Sequence, residues 1–461
     1  MDQNAALPFA LPACAGRKVS AAFDGGVLTS DAGVVLLGQM LRASGLASKL
    51  AGRMGEWRDP CRVRHSIADM IAARMLAIAA GYEDCDDHDG LRGDAAFLMA
   101  LGRAPCSGQG LASQPSLSRL ENRAGVRELA GMMGAMVDFY CASYPEPPAS
   151  VMLDIDDTFD AAHGGQQLAF WNGFHQERGF APLHVYDSTG RPVGVFLRPA
   201  RTPSGKEAAG HIRRLVHAIR RHWPNTAITI RGDGHFGRPE VMDWCEKAGV
   251  DYILGLPGNA ALRADPVLAA ASDGCAVFRA ERKLPVHRVF TETLYGAKSW
   301  GCQRRVIARI EASTMGMDVR TIVTSLQGST PERLYEFVYC QRGQAENWIK
   351  QHKAQLHSDR TSCTSANANQ LRLILHTGAY WLLWLLRNAI PAASTLKTAC
   401  FTTLQLRLVK LAARVRETAT RIRLAFAAAC PDQELITALF RHRALRHRAL
   451  GPTASVQPAG P

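Results

Sequence analysis

The run VMLDIDDT, Val151 to Thr158, constrains the fold of this chain more than any other segment. Val151, Met152, Leu153 and Ile155 read as a buried strand, and strand alternation puts Asp154 and Asp156 on one face with Asp157 on the other. Carboxylates inside an apolar strand are costly unless they are paired, hydrogen-bonded or bound to a cation. The plain alternative is a strand that ends early, its acids opening a turn or a helix cap. A metal site is the preferred reading, and geometry alone does not choose between Asp154 and Asp156.

Downstream of this strand the chain has the texture of a mixed α/β core. LHVYD from Leu183 and VGVFLRP from Val193 read as two further strands, separated by the turn signal Ser188-Thr189-Gly190. Lys206 to His222 reads as a helix, AITIRGD from Ala227 as a fourth strand, Arg238 to Ala248 as a helix and DYILGL from Asp251 as a fifth strand. The runs HRVFTETLY, RRVIARIEA and VRTIVTSL between Ala264 and Gln327 suggest a β-rich insertion, after which helices resume from Pro331 to about Arg387. Upstream, the first 150 residues look mainly helical: Ser30 can cap a helix through Val34, Leu37 and Leu41, and Ser66 with Asp69 resembles a capping box before Ile67, Ile71, Met75 and Ile78. The tract SYPEPPAS closes that region with the composition of a linker. From Phe401 onward ten Lys/Arg stand against three acids, which reads as a basic helical tail.

A formal net charge of +13 favours a polyanionic partner, nucleic acid or an anionic membrane surface. The most apolar stretch, Leu373 to Leu386, is interrupted by His376 and is too short to span a bilayer, so a membrane role is excluded. MDQNAALPFALPACAG lacks a basic region before its short apolar part and does not read as a secretory signal. Twelve cysteines without a single CxxC pair rule out zinc ribbons and fingers and fit free thiols in a reducing cytosol.

The segment YCQRGQAENWIKQHK, Tyr339 to Lys353, holds the second constellation. From Tyr339, the side chains Arg342, Glu346, Lys350 and Lys353 fall at offsets 3, 7, 11 and 14, which at about 100° per residue gather in one quadrant of a helix. Mixed charges on a helix usually mean a solvated face with salt bridges. A lone acid among cations also suits a metal ligand beside a phosphate-binding strip. The third constellation is IRGDGHF, where Asp233 follows the fourth strand in a glycine-flanked turn, the place where α/β sheets often carry ligands. An acid on the first strand, one after the fourth and one on a later helix are able to converge on divalent cations.

The order D…D…E with Tyr339-x2-Arg342-x3-Glu346-x6-Lys353 resembles the DDE transposases of bacterial insertion sequences, in the group with a Y-R-E-K signature. Within that group the chain is most similar to insertion-sequence family 1380. The resemblance rests on FDGGVLTSDAG, RVRHSIADMIAARMLAIAAGYEDCDDHDGLR, SQPSLSRLENR, LDIDDTFDAAHGGQQ, IRGDGHF, YCQRGQAENWIKQHK and RTSCTSANANQLRLILH, and spans about Ala22 to Leu386. It implies an RNase H-like catalytic domain that cuts and joins DNA, in an α/β chain with a β-rich insertion and a mainly helical N-terminal domain. The family's Asp-x-Thr pattern selects Asp156 as first catalytic and metal-binding acid, followed by Asp233 and Glu346. Asp157 departs from that pattern, where a small residue is expected.

The resulting expectations are a DNA-end-binding domain over 1–148, an RNase H-like core over 149–264 and 331–395 split by the insertion at 265–330, and a basic tail over 396–461. Mg²⁺, with Mn²⁺ able to substitute, is the expected cofactor. The expected partners are terminal inverted repeats and target DNA, engaged by a homodimer in the bacterial cytoplasm. Tyr339, Arg342, Lys350 and Lys353 are the expected DNA contacts. A non-cutting DNA-binding descendant of a transposase and a nuclease without strand transfer are the rival readings. EDCDDHDG from Glu83 reads as an acidic loop rather than an EF-hand, Cys340 as a structural thiol, His163 as a loop histidine, and Trp300 and Trp348 as packing residues.

Overall fold

The computed structural model describes residues 11–441. The chain divides into two compact units, one from Asn122 to Thr377 and one joining the residues up to Glu121 with those from Gly378.

The unit from Asn122 is built on an eight-stranded mixed sheet. In chain order its strands are β1 (Ser150–Asp157), β2 (Leu183–Asp187), β3 (Pro192–Phe196), β4 (Ala227–Gly232), β5 (Asp251–Leu256), β6 (Val286–Tyr295), β7 (Arg304–Ser313) and β8 (Gly316–Thr324). In space they run β6-β7-β8-β5-β4-β1-β2-β3. β1 is central and pairs in parallel with β4, which pairs in parallel with β5, while β2 and β3 return antiparallel on the other side. Helix Gly205–His222 makes the crossover from β3 to β4, capped by Ser204 and burying Ala208, Ile212, Leu215, Val216 and Ile219 at helical spacing. Helix Pro239–Ala248 carries the chain from β4 to β5 and ends at Gly249 in the left-handed region.

Each strand predicted between Val151 and Leu256 is present within one or two residues. The three predicted runs after Ala264 are β6, β7 and β8, and they extend the main sheet, with β8 pairing antiparallel to β5. Pro266–Glu281, expected to be part of a β-rich stretch, is a helix capped by Asp265 with proline in its first turn. A small three-stranded sheet of Asp160–Ala161, Phe170–Asn172 and Glu177–Phe180 follows β1. Its strands of two to four residues are too short to give a periodic signal in sequence.

In the other unit Ser66 caps helix Ile67–Ala79 through the Asp69 N–H at 3.0 Å. Helix Val34–Ser44 starts at Gly33, not at Ser30. Arg74 and Glu121 form a buried ion pair at 2.9 Å. Part of the predicted helical tail is a β-ribbon: Ala413–Glu417 pairs antiparallel with Ile422–Phe426 and with Leu28–Thr29. The alternation in ARVRE and RIRLAF has the strand period, and the pairing to residue 28 supplies the second edge that a local reading lacks. Arg443, Arg446 and Arg448 of the tail lie outside the described residues. Among the described residues no helix is long and apolar enough to cross a membrane.

Candidate active site

The parallel register of β1 and β4 sets Asp154 opposite Arg231. Both side chains are buried, and the guanidinium meets the carboxylate with two hydrogen bonds, Nε to Oδ1 at 2.5 Å and Nη2 to Oδ2 at 2.8 Å. Burial pushes the Asp154 carboxyl up and Arg231 opposes that shift. Arg231 also donates to the Val338 carbonyl at 2.5 Å, which ties the strand to the segment entering the glutamate helix. Asp154 is therefore committed to a structural pair, and that separates it from Asp156 where strand geometry did not.

Asp156 sits two residues nearer the carboxyl end of β1. Its Oδ1 accepts from the Asp157 N–H at 3.0 Å, and its Oδ2 accepts from Arg342 Nη1 at 3.1 Å. Burial pushes its carboxyl up to about 7; Arg342 opposes the shift, while the charges of Asp233 and Asp157 add to it. Asp157 faces Arg198 at 3.6 Å and His235 at 3.4 Å, so this unexpected acid has partners of its own. Asp233 heads the turn after β4, where its Oδ1 accepts from the His235 N–H at 2.9 Å. The hydrogen bond to Asp157 raises the His235 pKa, and the charges of Asp233 and Asp156 add to that.

The glutamate helix is not wound uniformly. Arg333–Tyr339 is a π turn, Cys340–Arg342 a tight 3₁₀ turn, Gly343–Lys350 regular α and Gln351–Gln355 a second π turn. The single face expected from Tyr339 to Lys353 is consequently split. Arg342 reaches Asp156 and lies 3.5 Å from Glu346, whose side chain is 63% exposed. Burial works against the Arg342 charge, yet its pKa is raised, because Asp156, Tyr339, Asp233 and Glu346 surround it. Tyr339 is held against Gly255, where any side chain would collide with its hydroxyl and with the Gly234 backbone. Lys350 is exposed, with no partner among the described residues. Lys353 does not join this group: it pairs with buried Asp160 at 3.2 Å and donates to the Phe159 carbonyl, so its expected place beside the glutamate is corrected by the wider turn that carries it.

Asp156, Asp233 and Glu346 thus meet electrostatically at one guanidinium. Among the described residues no three His, Cys, Asp or Glu groups stand close enough to hold one ion together. The donor set nevertheless suits a hard cation: it is all carboxylate oxygen, and the upward shift at Asp156 marks like-charge crowding that a divalent ion relieves. Beside the acids a cleft of about 450 Å³ opens between Gly234, Pro257, Arg309, Arg320, Tyr335 and Tyr339. An extended chain with negative charges fits its polar, cationic wall.

Over residues 11–447 the sequence matches the transposase DDE domain, group 1. The chain belongs to that family. The DDE transposase gives no match among curated protein sequences. Among solved structures it is similar to the cryo-EM structure of the piggyBac transposase synaptic complex with hairpin DNA, at a TM-score of 0.43 and 11% identity, over 83% of this chain and 80% of that one.

Several residues around the DDE transposase site were not legible from motif spacing. Arg231 had a signal, since an arginine in the apolar run ITIRG needs a buried anion as much as Asp154 needs a cation. His235 lies in the motif IRGDGHF, yet only the fold sets it between Asp157 and Asp233. Asp160 gave no sequence signal as the anchor of Lys353. Trp348 packs on Tyr186 and over Gly190, and Trp300 on Tyr295 and Arg304, which agrees with their reading as packing residues. His163 and Cys340 are exposed.

Proposed function

We propose that this chain is the transposase of a bacterial insertion sequence, most similar to family 1380, and that it cleaves terminal inverted repeats and joins the freed 3′ ends to target DNA. The observation that carries this reading is the meeting of Asp156, Asp233 and Glu346 around Arg342 at the carboxyl end of the central strands. The five strands β3-β2-β1-β4-β5 are then the RNase H-like core, with β6 to β8 as the β-rich insertion.

Asp156, Asp233 and Glu346 are the residues that would hold Mg²⁺ or Mn²⁺, which when bound supplies charge neutralisation and an activated water. Arg342 is placed to clamp a phosphate oxygen beside the scissile bond, since a guanidinium fork matches phosphate geometry. Tyr339 lines the cleft and positions Arg342 from behind. Exposed Lys350 offers a point charge to the flanking backbone. Lys353 acts by holding the Thr158–Asp160 turn directly after the first acid. Residues 1–148 bind the DNA ends, the basic tail adds backbone contacts, and a homodimer pairs two ends in the cytoplasm.

The test is direct. The purified protein, a duplex ending in the element's inverted repeat, Mg²⁺ and a target plasmid are incubated, and both nicked and joined products are resolved. Nicks at the repeat boundary with joined products are expected. Binding without nicks in Mg²⁺ or Mn²⁺ rejects the enzyme, and nicks without joining reject strand transfer.

A further inference from the structure

The unit that contains the N-terminal helices has a cavity of about 320 Å³ with a cationic wall that the proposed chemistry does not use. Two sequence segments build it. One is the loop ahead of helix Ile67–Ala79, carrying Trp57, Arg58, Arg62, Arg64 and His65. The other is the start of helix Gln114–Arg123, which brings Ser113, Ser116 and Arg119. Arg92 completes the ring, and Met70 floors it. At about 300–1,000 Å³ ligand pockets begin, so the space is sufficient for a phosphate with the sugar attached to it.

The chemistry of this lining points to one class of ligand. Five arginines line the cavity and no carboxylate does. Arg58 is neutralised by Glu56 at 2.6 Å, and Arg62 has only a 3.5 Å contact with Asp59. Arg92 gives one hydrogen bond, to the Leu111 carbonyl at 3.3 Å. Arg64 and Arg119 have no ion pair or hydrogen bond with any described residue. Two serine hydroxyls 3.2 Å apart and the positive end of a ten-residue helix face the same space. Unpaired guanidinium forks, hydroxyls and a helix N-terminus all favour a tetrahedral oxyanion. Burial lowers the His65 pKa, and the nearby charges of Arg103, Arg92 and Arg58 lower it further, against Asp69, as expected in a positive field.

We propose that this cavity is a phosphate-binding site that seats one backbone phosphodiester of duplex DNA, with Arg64 and Arg119 as its principal ligands. Arg62, Arg64, Arg92 and Arg119 all reach solvent, so a phosphate bound among them remains continuous with solvent on both sides. A polymer backbone meets that requirement. A free phosphate or a mononucleotide leaves most of the arginine rim without an anion. The site rests on the reading that the chain binds DNA, and it is separate in sequence from the acids that would cut it.

The experiment uses the full chain and a fluorescent duplex carrying the terminal repeat, titrated from low to physiological salt. Arg64→Ala with Arg119→Ala is expected to weaken binding at least tenfold at physiological salt. The double variant should also flatten the dependence of log affinity on log salt by about two, one per lost phosphate contact. Arg64→Lys with Arg119→Lys should keep the slope while recovering part of the affinity, which separates lost charge from a damaged fold. Unchanged affinity and slope in the alanine variant overturn the proposal, as does a wild type that binds no duplex. A third overturning result is loss of inorganic-phosphate binding, read from Trp57 fluorescence, with the duplex titration unchanged; the site then belongs to a free anion. Cleavage in Mg²⁺ is scored in parallel. A flattened slope in a protein that never cuts keeps this site and removes the transposase reading, whereas normal cutting with an unchanged slope does the reverse.

Discussion

Arg342 donates from Nη1 to Asp156 Oδ2 at 3.1 Å, joining residues 186 positions apart in sequence. The guanidinium is the only described positive group in contact with Asp156, and it also stands 3.5 Å from Glu346. It holds together carboxylates that would otherwise repel one another.

The first prediction concerns the acids themselves. Asp156→Asn, Asp233→Asn and Glu346→Gln each abolish cleavage of a terminal-repeat duplex in Mg²⁺ while leaving duplex affinity within about threefold, because phosphate contacts dominate binding. Gel-resolved nicking and anisotropy on the same preparations check this. Normal cutting by any one of the three removes that residue from the site.

Replacing Arg342 by Lys keeps one charge but loses the fork that spans Asp156 and Glu346. Cleavage should fall at least tenfold in Arg342→Lys and further in Arg342→Ala, with the melting temperature little changed because the side chain is partly exposed. Equal rates for Arg342→Lys and wild type would show that charge alone suffices.

Asp154→Asn breaks a buried, doubly hydrogen-bonded pair and strands Arg231. A loss of about 3–5 kcal/mol is expected in denaturant unfolding. Asp154→Leu combined with Arg231→Met should recover much of it, since no charge is then left buried. The folded fraction of Asp154→Asn should still cut. A dead but fully stable Asp154→Asn places the metal ligand one pleat back.

Lys353→Ala leaves Asp160, a buried carboxyl already pushed up to about 7 by burial against the pull of Lys353. The variant should unfold at lower denaturant, and Asp160→Asn with Lys353→Met should restore part of the loss. Unaltered stability with weakened end binding in Lys353→Ala would instead return Lys353 to the phosphates.

Burial depresses His88 to about 3, with the Arg74 charge adding to it, so the folded state keeps this ring neutral. The unfolded chain takes up the proton below about pH 6.5, so stability is full above that pH and falls by about 1.4 kcal/mol per unit down towards pH 3. His88→Leu should melt with a shallower dependence between pH 6.5 and 5. Parallel curves for the two proteins would contradict a neutral buried ring.

Local sequence was enough to establish the alternation of strands and helices from Ser150 to Leu256, the Ser66 cap and the spacing of Tyr339, Arg342 and Glu346. Those features are periodic or local, and periodicity is written into neighbouring residues. The assembled fold settled which acid each cation would serve: Arg231 takes Asp154, Arg342 takes Asp156 and Lys353 takes Asp160. It also turned 413–417 into a strand, through pairing with Leu28 and Thr29, and moved Lys353 off the shared face through a π turn. A buried charge is satisfied by whichever opposite charge the fold delivers to it, and delivery depends on register between distant strands and on how a helix is wound. Neither is a property of the local sequence.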